Sequence, residues 1–186
     1  AMRHILMSGG KRIRPILAKT TIEALGGNSK NYLQQICSLE LIHTYSLIHD
    51  DLPAMDNDDY RRGEPTTHKA FDEATAILAG DALLTKAFQL IVNNDSYLDP
   101  KISVKIVNEI SKAIGSKGMI GGQMLDIESQ GKEITPSLLL YIHNNKTGAL
   151  ITASVRVGGI LGGATDEELS SLTMYGKEIG LAFQIK

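Results

Sequence analysis

The sequence predicts an all-α protein. Apolar residues recur at helical spacing along most of the chain, and the alternating runs that make half-buried strands are nearly absent. Three helix starts carry their own chemistry. Asp99-Pro100 and Thr135-Pro136 each put a capping side chain before a proline at the first helical position, and Thr165-Asp166-Glu167-Glu168 fits a capping box. No repeat, low-complexity tract or long linker interrupts the pattern, so one domain over 1–186 is the economical organisation.

Helices are predicted over 14–26, 32–51, 70–93, 101–119, 136–161 and 166–186. The first stops at Gly26-Gly27-Asn28, directly after Ala24-Leu25. The second holds the apolar run 39–48 and ends before Pro53, which disfavours helix at Leu52. The third rests on apolar periodicity; the fourth and fifth start at the capped prolines and the sixth at the capping box. The pairs Gly158-Gly159 and Gly162-Gly163 would loosen a helix unless a neighbour packs closely against them, so close packing is expected there.

Bulk properties exclude several classes. At 186 residues, 42% hydrophobic and 22% charged, the chain can bury a core as an ordinary globular protein. A net charge of −2 offers no basic face for nucleic acid. Cys37 is the only cysteine, so no internal disulfide forms, and its apolar helical setting predicts a buried thiol. No signal peptide is visible and no run of about 18 apolar residues predicts a membrane span; the most apolar late segment, 148–163, is interrupted by Arg156. A soluble cytoplasmic protein is expected. The chain opens at Ala1 and closes at Lys186 inside patterned segments, as expected for a piece of a longer protein.

The chemistry concentrates in His49-Asp50-Asp51-Leu52-Pro53-Ala54-Met55-Asp56-Asn57-Asp58-Asp59-Tyr60-Arg61-Arg62-Gly63. Crowded carboxylates repel one another, and a cation relieves the repulsion. Mg²⁺ suits them, because it takes oxygen ligands and binds through one or two carboxylates plus substrate phosphates. The arginines grip phosphate oxygens two at a time. A solvated acidic loop is the alternative reading. An EF-hand is excluded, since Tyr60 and Thr67 fall where a calcium loop needs an oxygen ligand and a bidentate Glu. Asp56 follows Asp50 by six residues and would leave its face in an unbroken helix; a looped turn at 52–55, imposed by Pro53, would bring it back. Near the start, Ser8-Gly9-Gly10-Lys11-Arg12-Ile13-Arg14-Pro15 is no Walker A loop, because Ile5 and Arg12 stand where that loop needs Gly and Ser or Thr. Its basic groups beside a glycine pair still suit a diphosphate, or an exposed basic turn.

Together these motifs resemble the trans-isoprenyl diphosphate synthases, the polyprenyl synthetase family. Gly9-Gly10-Lys11-Arg12-Ile13-Arg14-Pro15 resembles its GGKRxRP segment, and Asp50-Asp51 through Asp56 with Arg61-Arg62-Gly63 resembles its first aspartate-rich motif, DDxxxxD. Gly122-Gln123-Met124-Leu125-Asp126 matches GQxxD, Lys146-Thr147-Gly148 matches KTG, and Gly180-Leu181-Ala182-Phe183-Gln184 matches the lead-in to a second aspartate motif. The resemblance covers nearly the whole chain. It implies an isoprenoid-synthase-type helical bundle around a central cavity, here truncated at both ends.

The resemblance also implies roles. Lys11, Arg14 and His43, helped by Arg62, would bind the diphosphate of isopentenyl diphosphate. Asp50 and Asp56 would ligate Mg²⁺ bridging to an allylic diphosphate, with Asp51 close by, and Arg61 would contact that diphosphate. Lys146, Thr147 and Gln184 would border the allylic carbon that becomes positive, supported by Gln123 and Asp126. His43 as a satisfied core histidine, Thr147 as an interior hydroxyl and the Gln123–Asp126 pair as a polar stripe are the plainer readings. His49 and His68 are expected to be structural or supporting groups, and Asp58 and Asp59 to face solvent or balance the arginines.

Product length follows from position. Tyr45 lies five residues before Asp50, about 7–8 Å along a helix, where an aromatic ring beside Ser46 would floor the tail pocket. With the DDxxxxD form this is similar to farnesyl-producing members: C5 and C10 allylic diphosphates (dimethylallyl, geranyl) condensed with isopentenyl diphosphate to a C15 product by a homodimer. A geranylgeranyl or longer-chain synthase, or a non-catalytic subunit, are the alternatives. The intact Asp50, Asp51 and Asp56 argue against the subunit, and the Gly-Gly-Lys-Arg segment argues against a terpene cyclase. The family's second motif, DDxxD, would begin where this chain stops and occurs nowhere else in it. This chain alone is therefore expected to be inactive.

Overall fold

The computed structural model describes residues 1–93 and 98–185, the side chains of residues 184 and 185 excepted. In chain order come α1 (Met2–Met7), α2 (Ile13–Ala24), a 3₁₀ turn (Ser29–Tyr32), α3 (Leu33–Asp50), β1 (Tyr60–Arg61), β2 (Glu64–Pro65), α4 (Thr67–Ala70) and α5 (Glu73–Val92). Then follow α6 (Pro100–Ile114), α7 (Met119–Ser129), α8 (Pro136–His143), a π-helical turn (Asn144–Gly148), α9 (Ala149–Leu161) and α10 (Asp166–Ile185). Among the described residues the protein is all-α apart from one two-stranded hairpin.

The chain forms two compact units. The first comprises residues 1–13 and 34–93. Its core draws Ile5 from α1, Leu39, Ile42, Tyr45 and Ile48 from α3, and Ala76, Leu83, Ala87 and Ile91 from α5. The α5 start is one residue past Asp72, whose carboxylate accepts the Thr75 amide at 2.7 Å; this cap explains why helix begins at 73 rather than 70. The β1–β2 hairpin pairs Tyr60 with Pro65 and Arg61 with Glu64. Arg62 and Gly63 turn the corner with φ of 57° and 83°, the signature of a type I′ turn.

The second unit comprises residues 14–33 and 94–186. Ala18, Ile22, Ile106, Ile110, Ile142, Leu150, Val155 and Val157 are buried in it. The predicted caps are formed: Asp99 accepts the Lys101 amide at 2.8 Å, Thr135 accepts the Leu138 amide at 3.2 Å, and Thr165 and Glu168 satisfy each other's amides at 2.7 and 3.2 Å. The first predicted stop is also present: Gly26 adopts φ of 81° and the Gly27 amide donates back to the Ile22 carbonyl at 2.9 Å. Close packing is found at Gly158, Gly159 and Gly162, where a Cβ would come 2.8 Å from the side chains of Thr21, Leu172 and Leu25 respectively, while nothing lies within 4 Å at Gly163.

Two predicted helices are broken. The 101–119 span ends at Ile114, where Gly115 and Gly118 close a turn (Gly118 amide to Gly115 carbonyl, 2.9 Å) and a new helix, α7, follows. The 136–161 span is interrupted by the π turn. One expectation is corrected outright. Cys37 is exposed, one turn from exposed Leu33, because α3 directs Ile36, Ser38 and Leu39 inward and leaves Cys37 outside. Among the described residues α5 is long and apolar enough to cross a membrane by length and composition, with mean hydropathy 1.4. A search for unbroken apolar runs misses it, because Asp81 and Lys86 interrupt the run. One side of α5 is buried in the first unit, while Ile77 and Leu78 on another side are 45% and 66% exposed.

Candidate active site

The acidic loop folds back as the Pro53 argument requires. Beyond Asp50 the chain leaves helix through short turns, with the Leu52 amide on the His49 carbonyl (3.2 Å) and Met55 on Leu52 (2.9 Å). The Asp56 amide then donates to the Asp50 carbonyl at 2.8 Å, so the two residues lie side by side in the backbone. Asn57, next in line, takes φ of 54°. Asp50 is half-buried and Asp56 exposed. Among the described residues no three His, Cys, Asp or Glu side chains converge as a complete metal cage. A pair of aspartates brought together in the backbone fits Mg²⁺, which binds through one or two carboxylates and takes its remaining oxygens from phosphates and water.

Asp51 departs from its expected place beside the metal. Its side chain is fully buried, and one oxygen, Oδ1, takes both the Nε (2.6 Å) and an Nη (2.5 Å) of Arg61. Burial pushes the Asp51 carboxyl up, and Arg61 opposes that shift. A carboxylate closed to solvent and tied to a guanidinium through Oδ1 braces the loop, while its Oδ2 is buried without a partner. Arg61 is also tied to Asp58 at 3.3 Å, while Asp59 pairs with Lys69 at 2.9 Å rather than with an arginine.

The basic segment meets the hairpin in the same unit. Gly9 and Gly10 adopt φ of 90° and 119°, and Arg12 follows at 51°. The Arg62 guanidinium donates to the Gly9 carbonyl and lies flat over Gly10, where a Cβ would come 2.5 Å from its central carbon. Only glycine leaves room for that stacking. Arg12 donates to the Leu6 carbonyl and pairs with Glu40 of α3 at 2.5 Å. Arg12 is one of the basic groups beside the glycine pair, but Glu40 does not stand out in the sequence; an acid within the apolar run Leu39-Glu40-Leu41 is the signal that could have found the pair. Lys11 is exposed.

On α3, His43 is half-buried and its carbonyl accepts the Ser46 hydroxyl at 2.9 Å. Tyr45 is buried, its hydroxyl lacks a hydrogen-bond partner, and its ring stands edge-on to His49 with centroids 5.8 Å apart. Desolvation, then the Asp50 charge, pushes the phenol up to about 12. His49 reaches the Ile77 carbonyl at 3.1 Å and fills the space over Gly80, and His68 is buried with Nδ1 3.2 Å from the Thr66 hydroxyl.

In the second unit Lys146 and Thr147 occupy the π turn, a device frequently found at functional sites. Two glycines clamp it. A Cβ on Gly122 of α7 would strike the Lys146 backbone, and one on Gly180 of α10 would come 2.8 Å from the Gly148 Cα. Lys146 Nζ donates to Asp126 Oδ2 at 2.6 Å, which brings together two of the predicted residues. Gln123, one turn before Asp126 on α7, keeps a buried amide nitrogen with no partner. Arg14 is half-buried on α2, and the Gln184 side chain lies outside the described residues.

A family model for polyprenyl synthetases matches residues 1–186. The chain belongs to the polyprenyl synthetase family. It is 54% identical over 186 residues to a farnesyl diphosphate synthase of Micrococcus luteus, covering all of this chain and 63% of that protein. It is 48% identical over 186 residues to a chloroplastic geranylgeranyl pyrophosphate synthase of Capsicum annuum, covering all of this chain and 50% of that one. The solved geranyltransferase of Helicobacter pylori, complexed with magnesium and isoprenyl diphosphate, superposes with a TM-score of 0.93 at 40% identity, over 99% of this chain and 62% of that one. The chain thus spans less than two thirds of the length of these relatives.

Proposed function

We propose that the protein is a prenyltransferase that joins isopentenyl diphosphate to dimethylallyl and geranyl diphosphates and delivers farnesyl diphosphate, with Mg²⁺ as its metal. The observation that carries this reading is the Asp50–Asp56 turn, which brings these two aspartates side by side in the backbone of the unit that also holds the Arg62–Gly9 contact. Mg²⁺ held by Asp50 and Asp56 would neutralise the departing diphosphate of the allylic substrate. Arg61, aligned by Asp51, is assigned to that diphosphate. Lys11, Arg14, His43 and Arg62 are assigned to isopentenyl diphosphate. Around the reacting carbons we assign Lys146, Thr147, Gln123, Asp126 and Gln184. Lys146 is fixed by Asp126, and the unspent amide of Gln123 can donate to a substrate oxygen. Fixed dipoles and an apolar wall shield a carbocation from water, so no nucleophilic side chain is required.

Tyr45 and Ser46 are assigned to the end of the tail pocket. A C20 product is the second reading, favoured by the geranylgeranyl synthase of Capsicum annuum among the relatives. We read the protein as a cytoplasmic homodimer; the exposed apolar Ile77 and Leu78 of α5 support an association surface. Turnover of labelled isopentenyl diphosphate with C5, C10 and C15 primers, with and without EDTA, tests the proposal. A Mg²⁺-dependent C15 product is expected; no product from any primer would refute it.

A further inference from the structure

The strained backbone of the first unit is not spread evenly. Among the described residues the non-glycine positions with positive φ are Arg12, Asn57 and Arg62, and all lie in the basic loop, the acidic loop or the hairpin corner. A non-glycine residue in the left-handed region costs of order 1 kcal/mol and persists only where its surroundings over-determine it. For Arg12 those surroundings are few and specific: the Leu6 carbonyl and the Glu40 carboxylate, 2.5 Å away.

Glu40 itself is an odd resident. It sits in α3 at 8% exposure, ten residues before Asp50, and its second oxygen is buried without a partner. A buried carboxylate with one unsatisfied oxygen costs stability, so packing alone does not account for it. Its electrostatic surroundings do. Arg12 presses on Arg62 as a like charge, Arg61 adds to the repulsion, and Glu40 opposes both, while desolvation is the largest influence on Arg62. One buried anion therefore lets Arg12 and Arg62 stay close, with Arg62 seated on Gly10.

We propose that Glu40 is a positioning residue for the isopentenyl diphosphate subsite: through Arg12 it fixes residues 9–12, and with them Lys11 and the seat of Arg62. The inference rests on the assignment of Lys11 and Arg62 to that diphosphate. Glu40 touches neither substrate; its effect passes through Arg12 and the loop. The loop's preset shape means that binding does not have to order it, and this preorganisation contributes affinity.

Steady-state kinetics on the complete natural protein, with both substrates titrated, test the proposal in E40Q and in R12M, two variants that attack the pair from opposite ends. Expected is a rise of about tenfold or more in KM for isopentenyl diphosphate, the size of one lost charge-assisted hydrogen bond. KM for the allylic substrate and kcat should stay within about threefold, a split that a general loss of structure does not produce. The double variant should be no worse than the poorer single one, because both changes break one contact. An unchanged KM for isopentenyl diphosphate in both variants, or an equal loss for both substrates, overturns the proposal. A wild-type protein without turnover fails the prenyltransferase reading instead. Calorimetry with inorganic diphosphate then decides the loop's role, and equal affinity in wild type and both variants would overturn it.

Discussion

The amide of Asp56 donates to the carbonyl of Asp50 at 2.8 Å, across a loop whose third residue is a proline. In a continuous helix the two residues would be separated by about 9 Å of rise and would face different directions. The turn removes that separation and sets the two residues side by side in the backbone. Asp50→Asn and Asp56→Asn should each lower turnover by about 100-fold or more and raise the Mg²⁺ concentration needed for half-maximal rate, since several kcal/mol of transition-state stabilisation pass through the ion. A Mg²⁺ titration of the rate reads both effects. A variant that keeps wild-type Mg²⁺ dependence would remove its residue from the ligand set.

Asp51 should behave differently from its neighbours. Its carboxylate is buried on Arg61, so Asp51→Asn leaves a half-buried guanidinium without its closest counter-charge. Stability should fall by about 2–4 kcal/mol, towards the range for breaking a buried ion pair. Asp56, an exposed residue, should cost far less on the same change. Urea unfolding of the two Asn variants gives the contrast, and equal losses would undo the distinction between brace and ligand.

The Tyr45 ring and its hydroxyl make separable predictions. The hydroxyl is buried without a partner, so Tyr45→Phe removes a desolvated polar group and should leave the melting temperature unchanged or raised. The ring remains, so product length should remain too. Tyr45→Ala opens the pocket and should shift product from C15 towards C20. Chromatography of products from labelled substrate separates the cases; a C15 profile in the Ala variant would discard the floor.

Helix periodicity and capping chemistry carried most of the fold, because Asp99, Thr135, Thr165 and Gly26 act locally and the sequence displays them. The Pro53 turn was legible for the same reason. What the sequence concealed was long-range or defined by a gap. The partnership of Arg12 with Glu40 spans 28 residues, and Cys37 faces outward only because α3 turns its other side to the core. Asp51 and Asp50 are adjacent in sequence, and a 100° step around the helix end sends one inward to Arg61 and leaves the other at the surface. The π turn is equally silent, since Asn144-Asn145-Lys146-Thr147-Gly148 reads as ordinary helix until Gly122 and Gly180 close on it.

That clamp predicts unusual sensitivity to a single methyl group. Gly122→Ala would drive its Cβ into the Lys146 backbone, and Gly180→Ala would crowd the Gly148 Cα at 2.8 Å. Backbone cannot rotate aside as a side chain does, so each change should cost about 1–3 kcal/mol in overpacking strain. Because Lys146 and Thr147 ride on the turn, activity should fall further than stability at assay temperature accounts for. Gly131→Ala provides the comparison: its φ of 72° disfavours alanine, but nothing lies within 4 Å of a Cβ there. If all three variants lose activity in proportion to stability, the clamp has no special hold on the site.

The last prediction concerns the second unit and acid. Arg156 of α9 donates to both Glu109 oxygens, at 2.6 and 2.8 Å, and to the Thr173 hydroxyl at 2.6 Å, tying α9 to α6 and α10. The hydrogen bond from Arg156 holds the Glu109 carboxyl below the usual range, against a smaller opposing effect of burial. Arginine remains charged throughout, so the carboxylate sets the pH dependence. A carboxyl depressed in the folded state binds its proton more weakly than in the unfolded chain, so its stabilisation is complete above the unfolded value of about 4.3. It declines as pH falls and is gone once pH passes below the folded value. Glu109→Gln should therefore lose about 1–2 kcal/mol at pH 7, the lower part of the range for a charge-assisted bond, since about a quarter of each side chain is exposed. The gap between wild type and variant should close on acidification, and urea titrations at pH 7, 5, 4 and 3 follow it. Parallel curves across that series would show that Glu109 gains nothing from its charge and that Arg156 is held by shape and by Thr173 alone.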